Sequence, residues 1–177
     1  MQIYSNRRKI NWKKVNNLKI GFALFIATTG GAGLFPMAPG TMGAAVGVPF
    51  AYWTQAWSWI PRVLFWLSIT VIGTWSAKVF DETMETEDNQ NIVVDEFVGI
   101  GISAWTAGTE LKTWLVAFIL FRILDALKPP PIRQVDAWSK KASSSMLRAF
   151  GVIADDLVAG FATLAIVLFL QWLHVLA

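Results

Sequence analysis

Two stretches of the chain carry no Asp, Glu, Lys or Arg: Ile20 to Pro61, and Leu157 to Ala177. Each is long enough for a membrane-spanning helix of about 20 residues. Shorter apolar runs lie between them. Read in order, residues 1–17 form a polar arm, and residues 18–28 form a short apolar helix at or partly within the membrane surface. Gly30 to Thr41 is too rich in Gly and Pro to be regular. Residues 42–60 make the first span, with Gly43 and Gly47 giving it a small-residue face for close packing. Pro61-Arg62 is read as a tight turn, residues 63–80 as the return, and residues 81–91 as an acidic polar loop. A span over 92–109 begins with Asp95-Glu96, and Gly108 to Lys112 turn the chain. Residues 113–127 return and end near Asp125 and Lys128, where Pro129-Pro130-Pro131 stops the helix. Residues 132–150 read as a polar, basic connection and 155–176 as the last span. The runs starting at 92 and 113 are short, which predicts tilt or packing inside the bundle. The expected fold is an all-α integral membrane protein. It has about five transmembrane helices in a bundle and a short N-terminal interfacial helix.

Composition supports this. Apolar residues make up 55% of the 177 residues, ten are Trp, and mean hydropathy is +0.49, too apolar for an ordinary soluble domain. The absence of Cys excludes disulfides and thiolate metal sites. The basic arm (Arg7, Arg8, Lys9, Lys13, Lys14, Lys19) lacks the features of a signal peptide. It reads as a topology signal, or as a contact for anionic headgroups. With the N-terminus placed in the cytoplasm, every one of the 15 Lys and Arg except Arg62 and Lys112 falls on or near that side, as the positive-inside rule requires. The division is then a basic cytoplasmic arm (1–17) and a membrane-embedded domain (18–177). The expected partner is a membrane phospholipid, with no nucleic acid.

That threading, set by cations alone, brings three acidic words to one depth: Asp95-Glu96, Asp125 and Asp155-Asp156. Carboxylates at a membrane are costly unless paired. Clustered, they repel one another, and a hard divalent cation such as Mg²⁺, Mn²⁺ or Ca²⁺ removes that cost. Arg122, Asp125 and Lys128 recur at i, i+3, i+6, so successive members lie close on one face. Arg and Lys suit phosphate. The loop ending Pro39-Gly40-Thr41 runs into a helix whose free N–H groups favour an anion. Acids for metal, bases for anion and a backbone cradle together suggest phosphoryl chemistry on a lipid headgroup.

The words Ala38 to Gly43, Asp88 to Gly99, Phe121 to Asp125 with Lys128-Pro129, and Asp155 to Gly160 closely resemble the phosphatidylglycerophosphatase A family, in the family's order. They cover about residues 20–170. The resemblance implies a Mg²⁺-dependent, multi-pass lipid phosphatase of the bacterial inner membrane with its site facing the cytoplasm. It would convert phosphatidylglycerophosphate to phosphatidylglycerol and phosphate by Mg²⁺-assisted attack of water. Asp95, Glu96, Asp125 and Asp156 are the expected catalytic residues. Asp95, Glu96, Asp125, Asp155, Asp156 and Asp88 are the expected metal ligands. Pro39, Gly40, Thr41, Arg122 and Lys128 are the expected substrate contacts. A covalent aspartyl-phosphate route stays open. The sequence departs from the family at Lys140 to Phe150, which is Ser-rich where a Gly-rich stretch is usual.

Plainer readings stand beside these. Asp95 or Asp155 could cap a helix, leaving Asp156 as the ligand. Asp125 could simply pair with Arg122 or Lys128. Asp88 reads equally as a loop acid, and Thr41 equally as the N-cap of the 42–60 helix. Asp81, Glu82, Glu85 and Glu87 read as a solvated face, and Asp136 as a surface partner of Arg133. His174 reads as an interface residue, and Trp53, Trp57, Trp59 and Trp172 as belt and packing. A divalent-cation transporter would place its acids near mid-membrane, and a noncatalytic scaffold would have little need of them.

Overall fold

The computed structural model describes residues 10–176. The basic residues Arg7, Arg8 and Lys9 of the arm lie outside the described residues. Within them there are seven α-helices and no strand. They are α1 (Leu18–Ala27), α2 (Pro39–Thr54), α3 (Trp59–Met84), α4 (Val94–Ser103), α5 (Leu111–Leu127), α6 (Ile132–Lys140) and α7 (Ser145–Trp172). Short 3₁₀ turns occupy Trp12–Lys14 and Ala32–Leu34.

Local chemistry sets the helix ends. The Asn17 side chain accepts the Ile20 N–H at 2.9 Å and starts α1. Pro39 takes the first position of α2, where a missing N–H costs nothing. Helix α3 closes on Glu85 and α5 on Lys128, both left-handed. The 85–93 loop is organised from within. Asp81 accepts the Thr86 hydroxyl at 2.7 Å and the N–H groups of Asp88 at 3.0 Å and Asn89 at 3.2 Å. Val93 N–H then reaches Ala27 O at 2.8 Å, tying the loop to α1.

Helices α3 and α7, with 26 and 28 residues, are long and apolar enough to cross a membrane. At 10 residues α4 is only about 15 Å long, and every residue from Phe97 to Ser103 is buried. It is the axis of the fold, packed mainly between α2 and α7, with α3 and α5 completing the surround. The approach is close because glycines face it. A Cβ on Gly43 would meet Val93, and one on Gly47 would meet Ile100. Gly99 of α4 lies against the Phe121 ring of α5. Gly99→Ala is expected to lower stability by about 1–3 kcal/mol through overpacking, read as an earlier thermal unfolding midpoint in detergent.

Four expectations about elements change. Pro61 and Arg62 are not a turn: α3 already begins at Trp59, and the chain reverses at residues 55–58. Arg62 is buried, donating to Trp105 O at 2.9 Å with its guanidinium over the Trp105 ring. The expected 92–109 span contains a helix of only Val94–Ser103. Residues 132–150 are largely helical, forming α6 and the first turns of α7. Because α7 starts at Ser145, Asp155 lies well inside it and caps nothing.

The bundle has two chemically distinct ends. At one, Gln55 donates to Ala104 O, Gln171 to Thr106 O and Lys112 to Val175 O. Trp53, Trp57 and Phe65 cluster edge to face there. Trp59 and Trp172 are exposed, as a membrane belt requires. His174 follows α7 at this same end. At the other end lie all three acidic words.

Candidate active site

A cleft of about 580 Å³ opens at that second end. Its lining includes Pro39, Gly40 and Thr41 from α2, Asp88 from the 85–93 loop, and Asp95 and Glu96 from α4. Arg122, Asp125 and Lys128 come from α5 and its cap, and Asp155 and Asp156 from α7. Every residue expected at the site therefore faces one cavity, although they come from segments far apart in sequence. The start of α4 places Asp95 and Glu96 in a first helical turn, where negative charge is favoured. The 28-residue α7 carries Asp155 and Asp156 into the bundle, where they are 4% and 3% exposed.

Within the cleft the acids divide. One carboxylate oxygen from each of Asp95, Glu96 and Asp156 lies within 4.8 Å of the others, close enough to share an ion. Asp125 instead accepts from Arg122 Nη1 at 2.7 Å, and the same nitrogen stands 3.7 Å from Glu96 Oε1. Asp155 pairs with Lys128, which also binds Asp136 at 2.8 Å. Asp88 lines the cleft wall outside the trio. The paired-acid reading of Asp125 thus fits the geometry, but its partner Arg122 is itself part of the cleft.

Helix α6, missing from the sequence reading, supplies Asp136. Its partners are Lys128 and Lys140, the latter at 2.7 Å, rather than Arg133. Burial opposes the charge on Lys128, yet Asp155 and Asp136 hold its ammonium above the ordinary lysine range. Burial also opposes charge on Asp136, but Lys128 and Lys140 hold it below the usual carboxylate range. This chain of ion pairs fastens α6 across α5 and α7. Gly151 makes the seat: a Cβ there would overlap Ser139 of α6. Gly151, four residues before Asp155, therefore has a packing role. Asp81 is not a solvated acid, since it organises the loop that carries Asp88. Thr41 is not an N-cap either, because α2 starts two residues earlier.

Gly40 was expected as part of a backbone cradle, and the structure gives it a second role. A Cβ at that position would overlap Glu96 Oε1 and come within 3.1 Å of Arg122 Nη2. Only glycine lets α2 approach Glu96 and Arg122 together. Spacing alone gave no sign of this contact.

The trio suits a hard cation. Asp95 Oδ1, Glu96 Oε2, Asp155 Oδ1 and Asp156 Oδ2 are buried and have no hydrogen-bond partner among the described residues. Buried carboxylate oxygens are normally satisfied. Four such oxygens around one cleft, three of them from the residues that can share an ion, have the chemistry of an oxygen-ligand site for a divalent metal.

Comparison with known proteins agrees with this arrangement. The family model described as phosphatidylglycerophosphatase A matches residues 25–171. The chain is 34% identical over 141 residues to the phosphatidylglycerophosphatase A of Escherichia coli, covering 79% of this chain and 78% of that one. It is 30% identical over 144 residues to the Haemophilus influenzae protein of the same name, covering 80% and 84%. A Bacteroides thetaiotaomicron protein, provisionally named a phosphatidylinositol-3-phosphatase, is 29% identical over 160 residues, covering 84% and 93%. No solved structure gives a significant match. With its acidic words in one cleft and the family model matched over most of its length, the chain belongs to the phosphatidylglycerophosphatase A family.

Proposed function

We propose that this protein removes the terminal phosphate of phosphatidylglycerophosphate, releasing phosphatidylglycerol, at the cytoplasmic face of a bacterial inner membrane. The reading rests on one observation: unpartnered carboxylate oxygens of Asp95, Glu96 and Asp156 meet in a cleft that also holds Arg122 and Lys128. Family membership supplies the lipid.

Asp95, Glu96 and Asp156 would hold Mg²⁺, with Asp125, Asp155 and Asp88 supporting the site from the cleft wall. Bound Mg²⁺ supplies polarisation of a phosphoryl oxygen and a lowered pKa for water. The side chains do the rest. Arg122 presents a planar fork to the phosphoryl oxygens, with Asp125 fixing its orientation. The first N–H groups of α2, after Pro39, face the same anion. Lys128, held between Asp136 and Asp155, contributes positive charge at the cleft's edge. An unpartnered oxygen of Asp95 or Glu96 accepts the proton of the attacking water. A new oxygen–phosphorus bond forms as the bond to the glycerol oxygen breaks, and that oxygen takes up the proton held by the carboxyl group and leaves as a hydroxyl.

In the membrane, α2, α3, α5 and α7 form the wall, and α4 is the short fifth segment shielded by the others. Lys14 pairs with Glu85 at the cleft's rim, and the distribution of Lys and Arg along the sequence favours a cytoplasmic position for that end. A transporter would want acids midway between two openings, whereas these all lie at one end of the bundle. The test is phosphate release from phosphatidylglycerophosphate in detergent, with Mg²⁺ and with chelator. Release is expected only with Mg²⁺, and Asp95→Asn should lower it by about 10²–10⁴-fold. Equal release by Asp95→Asn would sink the assignment.

A further inference from the structure

Beside the catalytic cleft, and sharing two residues with it, lies a second depression whose walls are almost wholly apolar. Its volume is about 450 Å³, and it is lined by Thr41, Phe118, Ile119, Arg122, Ile123, Ala126 and Leu127. Thr41 and Arg122 also line the catalytic cleft. The two cavities therefore meet at the guanidinium assigned to phosphate.

The depression exists because of how the helices pair. Helix α2 packs on α4, and α5 packs on α7 and α4, while the α2 and α5 backbones stay apart and meet through side chains such as Tyr52 with Trp114. A seam stays open between them. Phe118 of its lining packs against the apolar cluster that includes Ala44, Ile100 and Phe121. Its outer rim is open: Ile119, Ile123 and Leu127 are 55%, 45% and 74% exposed. These three recur every four residues and form one stripe along α5.

We infer that this seam seats an acyl chain of the phospholipid substrate, so that the lipid enters sideways between α2 and α5 with its phosphate leading to Arg122. This rests on the phosphatase reading and adds a binding subsite to it. Arg122 lies near the middle of the lining, with Ile123 to Leu127 on the Lys128 side and Phe118 and Ile119 about one helical turn deeper along α5. A chain that runs from Arg122 past Ile119 and Phe118 heads toward the membrane centre. Polarity agrees: Arg122 and Thr41 are the only polar residues of the lining, and they are the two shared with the cleft. A lipid whose phosphate sits in the cleft must place its chains somewhere continuous with that cleft, and this seam is apolar and leads directly from it.

The test pairs a kinetic with a physical measurement. In mixed micelles, dihexanoyl and dipalmitoyl phosphatidylglycerophosphate are compared as substrates for the unaltered protein, for Ile119→Trp in the seam, and for Val71→Trp. Val71 is a 61% exposed residue of α3, away from both cavities. Ile119→Trp is expected to raise KM for the long-chain lipid by about tenfold with little change for the short one. Val71→Trp should alter neither. An equal loss on both lipids, or the same pattern from Val71→Trp, overturns the subsite. Independently, phosphatidic acid bearing a photoreactive diazirine in its acyl chain should label the 118–127 segment several-fold more than the matching phosphatidylcholine. Equal labelling by the two lipids also overturns it. If the unaltered protein releases no phosphate, the phosphatase reading fails instead, and labelling alone judges the seam.

Discussion

Asp156→Asn is expected to abolish most phosphate release while making the metal-free protein harder to unfold. Asp156 is 3% exposed, its Oδ2 has no partner, and it stands with Asp95 and Glu96 in a group whose oxygens lie within 4.8 Å. Without a cation, three like charges at that spacing oppose folding. Removing one relieves the repulsion, and the gain should appear as a midpoint higher by roughly 2–4 °C in chelator. Activity should fall by about 10²–10⁴-fold. The third readout separates a metal site from an ordinary acidic cluster. Mg²⁺ should raise the midpoint of the unaltered protein, because a ligand that binds only the folded state stabilises it. It should raise that of Asp156→Asn much less. A variant that is both less stable and equally responsive to Mg²⁺ would mean that Asp156 has a structural role instead.

Gly40→Ala should lose about 10–100-fold in activity, the range seen when groups supporting metal ligands are disturbed. The fold should be retained. The added methyl has nowhere to go except against Glu96 Oε1 and the Arg122 guanidinium. Glu96 must rotate or α2 must shift, and either change pulls a ligand from the trio. The residue sits in the first turn of α2, not in the packed middle of the bundle. Unfolding midpoints should therefore move little. Activity at saturating Mg²⁺ and thermal melts on the same preparation check both halves. A large drop in midpoint would show that Gly40 serves packing rather than the site.

Much of this was legible before any coordinates. The uncharged runs located the apolar helices because lipid excludes charge, and that exclusion is strong enough to survive in a single sequence. The convergence of Asp95-Glu96, Asp125 and Asp155-Asp156 followed from threading by Lys and Arg alone. Helix α6 and the start of α7 were missed because apolar runs were followed, and α6 is polar on average although its apolar positions recur with helical period. Arg62 was read as a turn because an Arg after Pro in an apolar run suggests exposure. The structure instead satisfies it with the Trp105 carbonyl and ring. Sequence also could not divide the acids. Asp155 and Asp156 are neighbours in one helix and point about 100° apart. One meets Lys128 and the other meets Asp95 and Glu96, a distinction made only by helices α4 and α5.

Helix α4 also constrains how the protein is built. A segment of ten residues opening with two acids is a poor candidate for insertion by the translocon as an independent unit. Its main neighbour, α7, leaves the ribosome only after α5 and α6. Biogenesis must therefore hold α4 at the interface, or loosely against α2, until α7 is made. Nascent chains stalled before α7 should remain protease-accessible around Asp95, and catalytic competence should arrive only once α7 has joined the bundle.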